Sequence, residues 1–550
     1  MSRLVRLAVM AWPWVMALFV CAPLLAPGYV LTYDMVWVPD LALDRRDVWG
    51  LGSALPRAVP SDALVGLMDE VVPAALLQKA MLVGALGFAG AGMARLLAAV
   101  GPAAQLGATS LYVWNPFVAE RLGLGQWPLL VAYAAVPWLL HAIRFGGWGP
   151  AAVLSLAATA LSPVSGLMGA LIALVMSDGR DRLKFTVAGL ALNAPWLVAG
   201  VLHGSSARSD ASAVRFFDVQ PEAHLGRVGA VFGLGGIWNL DVVPTSRTLW
   251  TAAIIALILW IVMVFGLFVM WREDRALLLK LGALGSVGVL VALSGWVATD
   301  AVASIAGAMP GGGLLRDGTR YLLLLAPLEA WSFGVGAHAL ARQLDRRAGA
   351  VMAAATLTLL PVVAMPDMAW GLAGQLKPVD YPTSWQSARD GLATLPAGDV
   401  LILPFTSYRQ PDWNNQRSVL DPAGRFFDRV TVVNDDLLVS GKAIEGEDRR
   451  AAAVGEALGA DDVGAALAAE GIGVVVVETD AGDSGVPAEQ LANLDGLPLA
   501  GAGMEIYAIG PAQGIDGSGV DRVAIVLAWL LAASMMAGAV IFAILSRLPR

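Results

Sequence analysis

Apolar runs of about twenty residues, parted by short polar or Gly/Pro-rich breaks, fill the first two thirds of the chain and return once at its end. About 20 apolar residues in a helix cross a bilayer, and fewer suffice where neighbours shelter them, so the pattern predicts about twelve spans. They centre on residues 7–29, 72–95, 102–116, 127–143, 148–162, 165–178, 185–203, 249–271, 276–297, 320–340, 347–366 and 522–546, with the third, fifth and sixth the shortest. Arg95, Arg144, Arg180, Arg182, Lys184, Arg272, Arg275, Arg342, Arg346, Arg347, Arg547 and Arg550 then all fall on one side, which predicts a multi-pass plasma-membrane protein with both termini cytoplasmic. The long loops, 30–71, 204–248 and 298–319, collect on the opposite, extracytoplasmic side.

Residues 369–520 break the pattern. Asp399-Val-Leu-Ile-Leu-Pro404, Val430-Thr-Val-Val433 and Ile472-Gly-Val-Val-Val-Val-Glu478 read as β-branched strands, and Glu447–Leu458 and Asp461–Glu470 as helices with acidic starts. The alternation predicts a small parallel or mixed sheet with covering helices. The expected organisation is a transmembrane unit over 1–368, a soluble extracytoplasmic α/β domain over 369–520, and a final helix with a cytoplasmic tail over 521–550.

Composition agrees: 57% of the 550 residues are hydrophobic and 15% charged, against about 25% charged in soluble domains. Cys21 is the single cysteine and lies in the first apolar run, which excludes a disulfide framework or a cysteine metal site. Arg3 and Arg6 before that run suit a secretory signal too, but Val20 is bulky where a cleavage box wants a small residue and no A-x-A site follows, so an uncleaved first helix is expected. The 369–520 segment carries 22 acidic against 9 basic residues. Such a surface repels nucleic acid and anionic headgroups. It has no Gly-rich phosphate loop, Ser-His-Asp set or His cluster, so an accessory role is expected: holding an acceptor glycan, binding a membrane or envelope protein, or capping a site in the membrane unit.

Candidate chemistry begins where the chain first leaves the membrane, in Leu31-Thr-Tyr-Asp-Met-Val-Trp37. Asp34 is the acid closest to lipid and fits a general base for an acceptor hydroxyl; Asp40 follows, whereas Asp44, Asp47 and Asp62 read as solvated charges. Ser61–Glu70 reads as a short surface helix capped by Ser61. Trp114-Asn-Pro-Phe-Val-Ala-Glu-Arg-Leu-Gly-Leu-Gly-Gln-Trp127 reads as a turn in which Asn115-Pro116 ends a helix and Glu120 with Arg121 either pair together or line a polar cavity. Gly311-Gly-Gly-Leu-Leu-Arg-Asp-Gly-Thr-Arg320 sets Arg316 and Arg320 at headgroup depth, against the positive-inside trend, where they suit a lipid phosphate or pair locally with Asp317. Lys79, in a span, joins the phosphate-binding candidates. Phe216-Phe217-Asp218 and Gly235-Gly-Ile-Trp-Asn239 suit an interfacial lid or a membrane anchor. The four histidines lack ligand spacing; no cofactor motif is present, and a divalent metal ion held by carboxylates alone stays open.

A first-loop acid just after the first helix, many irregular spans and a C-terminal extracytoplasmic α/β domain together resemble the GT-C class of membrane glycosyltransferases, and the segments NPFVAERLGLGQW, GGIWN and LLRDGTRY are similar to stretches of actinobacterial cell-envelope members, the arabinofuranosyl- and mannosyltransferase-like ones. The resemblance is architectural over most of the chain and motif-specific only in these patches. It implies a polyprenyl-phosphate sugar donor, an envelope glycan or lipid acceptor, and Asp34 as base. The sequence departs from the class in its second acid: many members carry adjacent paired acids, and here Asp34 and Asp40 are six positions apart. Two other readings stand beside it: a transporter or flippase for a lipid-linked glycan, and a non-catalytic scaffold on the same frame.

Overall fold

The computed structural model describes residues 3–53, 55–203, 211–308, 311–439, 442–481, 485–492, 494–497, 503–512 and 519–546. Arg547 and Arg550, counted above among the one-sided basic residues, and residues 204–210 of the second loop lie outside this set.

Eight described helices are long and apolar enough to cross a membrane: Arg3–Leu25 (with its terminal 3-10 turn), Ala74–Leu96, Trp127–Gly146, Asp181–Leu202, Trp250–Glu273, Arg275–Val297, Arg347–Ala364 and Asp521–Leu545. A ninth arises if Gly318–Leu324 and Ala326–Arg342, bent by 43°, count as one span. The expectation of about twelve is not reached. Its short members are helices of 12, 10 and 14 residues, Pro102–Val113, Pro150–Thr159 and Pro163–Met176. At 1.5 Å per residue these reach only about 15–21 Å, against a hydrocarbon core of about 30 Å. Pro102–Val113 packs between Ala74–Leu96 and Ala326–Arg342. Its Gln105 and Thr109 hydrogen bond to the carbonyls of Ala94 and Gly90, at 3.0 and 3.2 Å, so its polar groups are met by protein.

Lipid takes the place of water at the helix surface. Leu257, Ile261, Val264 and Phe268 are exposed at helical spacing along Trp250–Glu273. Its opposite face meets Ala326–Arg342 backbone to backbone: an added Cβ at Gly266 would lie 1.8 Å from the Ser332 carbonyl oxygen, and one at Gly336 2.2 Å from that of Val262.

The α/β region holds a five-stranded mixed sheet. Asp399–Leu403 runs parallel to both Thr431–Val432 and Ile472–Glu478; Met504–Ala508 pairs antiparallel with the latter, and Asp495–Leu497 closes the edge. The period of two sorts the two faces. Leu401, Leu403, Val475 and Val477 pack under the helices Arg449–Ala457 and Val463–Ala469, whose starts are capped by Asp448 and Asp462. Val400, Ile402, Val474 and Val476 pack on Trp385, Phe426 and Phe427.

That second core also contains Leu31, Val36, Val38 and Leu41 of the first loop. The loop enters the α/β region as a structural member: Tyr29–Val30 pairs antiparallel with Pro378–Val379, and Tyr33 bridges Val419. Charged contacts extend the seam, with Asp40–Arg389 at 2.7 Å, Arg57–Glu447 at 2.6 Å and Asp62–Arg425 at 2.8 Å. Asp62 is therefore paired rather than solvated, whereas Asp47 is exposed as expected and also accepts from Arg45. Ser61–Asp69 is a helix with Leu64, Leu67 and Met68 exposed, as a surface helix requires, but the Ser61 hydroxyl donates to the Ala58 carbonyl and caps nothing.

Candidate active site

Asp34 is held by backbone on two sides. Its N–H donates to the Leu124 carbonyl at 3.0 Å, while Tyr33 exchanges bonds with the strand Val419–Leu420: Tyr33 N–H to the Ser418 carbonyl at 2.7 Å and Leu420 N–H to the Tyr33 carbonyl at 2.8 Å. Tyr33 has φ 35°, a strained value for a side-chain-bearing residue. The Leu124 turn fits only because Gly125 is glycine. Its φ is 77°, and an added Cβ would lie 2.4 Å from the Thr32 carbonyl oxygen and 2.5 Å from Met35 N. Asn115-Pro116 stands where the helix Pro102–Val113 ends, as expected, and also starts the next one: the Asn115 side chain accepts from Val118 N–H and caps Pro116–Gly123, which delivers that turn.

Both Asp34 carboxylate oxygens have partners from elsewhere in the chain. The Tyr408 hydroxyl donates to Oδ1 at 2.6 Å and Gln126 Nε2 to Oδ2 at 3.1 Å. Tyr408 arrives there because its strand pairs it with Leu420, whose N–H is bound to Tyr33. Gln126 in turn accepts from Arg121 Nη1 at 3.0 Å, and the same nitrogen reaches Asp317 Oδ2 at 2.9 Å. Asp317 also meets the Thr319 hydroxyl at 2.7 Å and Arg320 Nε at 3.0 Å. A continuous polar path thus runs from Asp34 through Gln126 and Arg121 to Asp317 and Arg320.

Arg121 and Asp317 are fully buried, a neutralised pair rather than a free cation and anion. Burial pushes the Asp317 carboxyl up, but the Arg121 and Arg320 guanidiniums and the Thr319 hydroxyl overcome it and hold the group at about 2. The accessible positive charge lies beyond them. Arg320 and Arg316 are half-buried and Arg57 is exposed. Arg316 stacks on the Phe217 ring at 4.4 Å, and burial followed by the Arg57 charge lowers its guanidinium to about 10, still a cation at neutral pH. Burial and then the Asp34 carboxylate push the Tyr408 phenol well above its usual range, while Arg57 and Arg320 pull the other way, so both cations stand near the Tyr408–Asp34 pair.

The remaining expected site residues go elsewhere. Asp40 is exposed and ion-paired with Arg389, which also holds Asp428. Lys79 donates to the Gly28 carbonyl at 2.6 Å, and the neighbouring Gln78 binds both backbone groups of Val30, so the two fasten the first loop to its helix. Glu120 is buried beside Glu222, which accepts from Arg247 Nε at 3.2 Å and from Gly236 N–H. Burial and then the Glu222 carboxylate push the Glu120 carboxyl well above the usual range. Phe217 packs edge-on against Trp238 at 4.6 Å and, with Leu437, Val439 and Ile444, forms a small cluster beside Arg316 rather than facing lipid. Among the described residues no three His, Cys, Asp or Glu side chains gather as a metal site would need.

Tyr408, Gln126 and Arg57 were not singled out by sequence. Gln126 lay inside the quoted 114–127 segment, but Tyr408 is 374 positions from Asp34 and carried no motif.

No protein-family model matches the sequence, and no curated protein matches it. Among solved structures, the cryo-EM structure of the arabinofuranosyltransferase AftD from mycobacteria is similar over 94% of this chain and 40% of its own, with a TM-score of 0.55 at 17% identity. A mutant form of the same protein gives 0.55 at 19% identity, over 94% of this chain and 42% of its own. The chain thus spans about two fifths of the length of the structures it matches. At these identities the likeness is one of fold: over most of its length this chain folds as part of the AftD structures does.

Proposed function

We propose that this protein is an integral-membrane glycosyltransferase that moves a sugar from a polyprenyl-phosphate donor to an extracytoplasmic envelope glycan or lipid. The observation that carries the reading is the joining of one carboxylate, Asp34, to Arg320 through buried Gln126, Arg121 and Asp317, with Arg316, stacked on Phe217, four positions before Arg320.

Transfer needs a base on the acceptor and positive charge on the leaving group. In this reading Asp34 takes the proton of the acceptor hydroxyl as its oxygen forms the new bond to the anomeric carbon; the bond from that carbon to the phosphate oxygen breaks, and the phosphate leaves with its electron pair toward Arg320 and Arg316. Arg121, neutralised and buried, positions the cluster and does not touch the donor. The fold of the AftD structures supports the frame, and the acidic surface of the α/β region suits an uncharged acceptor or a protein partner better than an anionic one.

The test uses membranes from cells expressing the full chain, a radiolabelled polyprenyl-phosphate pentose or hexose, and envelope extract as acceptor. Asp34→Asn is expected to lower transfer by about 10²–10⁴-fold, the usual worth of a positioned base, with insertion unchanged. Full transfer by the variant overturns the reading. A second reading, a non-catalytic scaffold, is favoured by one fact: both Asp34 oxygens are already hydrogen-bonded within the chain. It predicts that Asp34→Asn is silent while deletion of 369–520 removes all function.

A further inference from the structure

Tyr33, the residue before Asp34, is half-buried, and its hydroxyl donates to a second carboxylate: Tyr33 Oη lies 3.1 Å from Asp241 Oδ2, across 208 positions. Asp241 is exposed, and among the described residues only Tyr33 donates to its side chain and no cation pairs with it. The fold ties this carboxylate to the first. Asn239 accepts from Asp241 N–H at 3.1 Å and caps the 3-10 turn Leu240–Val242. Val242 packs with Ile237 and with Leu124, whose carbonyl holds the Asp34 N–H, and Tyr33 and Trp238 pack on the same three residues. Aromatic rings continue from there. Tyr408, bound to Asp34, is 6.0 Å from Tyr33 between ring centroids, and Trp238 meets Phe217, the ring under Arg316.

A half-exposed ring, with one carboxylate at its hydroxyl and another on the next residue, has the chemistry that recognises an uncharged sugar. The C–H face of a sugar ring rests on the negative face of an aromatic. Ionised carboxylates only accept hydrogen bonds, so they take hydroxyl donors and repel anions. An acceptor with a single hydroxyl would use Asp34 and leave Tyr33 and Asp241 without a part. We propose that Tyr33 and Asp241 form an acceptor subsite for an uncharged sugar, its ring stacked on Tyr33 and a hydroxyl other than the reacting one donated to Asp241. The subsite rests on the reading of Asp34 as the base. Asp241 determines which acceptor is held and takes no part in the proton transfer.

The full chain, purified in a sugar-free detergent with no donor present, is titrated by calorimetry with neutral methyl trisaccharides of pentofuranose and of hexopyranose, and with the hexopyranose form oxidised to a terminal uronic acid. A neutral trisaccharide is expected to bind, and the uronic acid form to bind about tenfold more weakly, the scale of one like-charge contact. Asp241→Asn is expected to bring the neutral and uronic acid forms to about equal affinity, since the repelling charge is gone. Tyr33→Leu is expected to weaken the neutral form by up to about tenfold, the worth of one aromatic contact. Failure of both neutral trisaccharides to bind, equal binding of the neutral and uronic acid forms by the wild type, or a preference that survives Asp241→Asn overturns the subsite. The wild-type comparison decides the case even if a variant misfolds. Binding as expected in a chain that transfers no sugar overturns the proposed reaction alone, and transfer to envelope extract without trisaccharide binding overturns the subsite alone.

Discussion

The Tyr408 hydroxyl donates a 2.6 Å hydrogen bond to Asp34 Oδ1 across 374 residues of sequence. In the proposed reaction the phenol competes with the acceptor hydroxyl for this carboxylate, one of whose lone pairs it occupies. Tyr408→Phe is expected to lower the acceptor KM by roughly three- to tenfold, the worth of one hydrogen bond given up, with kcat little changed. Transfer rates against acceptor concentration check this; a raised KM contradicts it.

Gly125 sets the height of the Asp34 loop. Gly125→Ala forces a side chain onto φ 77° and a Cβ to 2.4 Å from the Thr32 carbonyl oxygen. The substitution is expected to cost about 1–3 kcal/mol and to depress transfer by shifting Asp34. Thermal unfolding of the purified variant beside its activity tests both; a wild-type melting temperature is the contrary result.

Asp317 neutralises buried Arg121. Asp317→Asn leaves that guanidinium uncompensated and is expected to destabilise the protein by about 3–5 kcal/mol. The loss depends on pH in a fixed direction. The carboxyl is held at about 2 when folded, below its usual 3.8, so its stabilisation is present above about pH 4 and disappears as pH falls toward 2. The gap in denaturation midpoint between wild type and variant is expected to close over that window, and a gap constant from pH 6 to 2 goes against it.

A second buried ionic group has the opposite sign. Arg409, Asp421 and Glu478 meet in the α/β core at 2.9 and 2.7 Å, and burial, opposed by Arg409 and helped by Asp421, raises Glu478 to about 7. A raised carboxyl stabilises fully below its unfolded value of 4.5 and loses that contribution as pH rises through about 7. The apparent melting temperature of the full chain is expected to drop by a few degrees between pH 5 and 8, and Glu478→Gln to flatten the slope. A profile that rises over this range is inconsistent with the assignment.

Much of the frame was legible because membrane helices and buried strands depend on local pattern. The long apolar runs became helices, and 399–403, 431–432 and 472–478 became strands in a mixed sheet. The count of spans was not legible: 102–116, 148–162 and 165–178 are as apolar as true spans, and only packing among other helices makes their short length tolerable. Arg316, Arg320 and Asp317 were visible as charges against the topological trend. That Arg121 is spent on Asp317, and Asp40 on Arg389, was not, because ionic partners lie 196 and 349 positions away.

By itself, then, the sequence determined which stretches form long apolar helices and which form the strands of the C-terminal sheet, and that Asp34 follows the first of those helices, since hydropathy and period are properties of neighbouring residues. The tertiary structure alone decided what Asp34 faces. Tyr408, Gln126 and the arginine edge come from four separate stretches of chain, and only the closing of the α/β region onto the first loop, through the strand pairing of Tyr29–Val30 with Pro378–Val379 and the shared core of Leu31, Val36 and Trp385, brings them to one carboxylate.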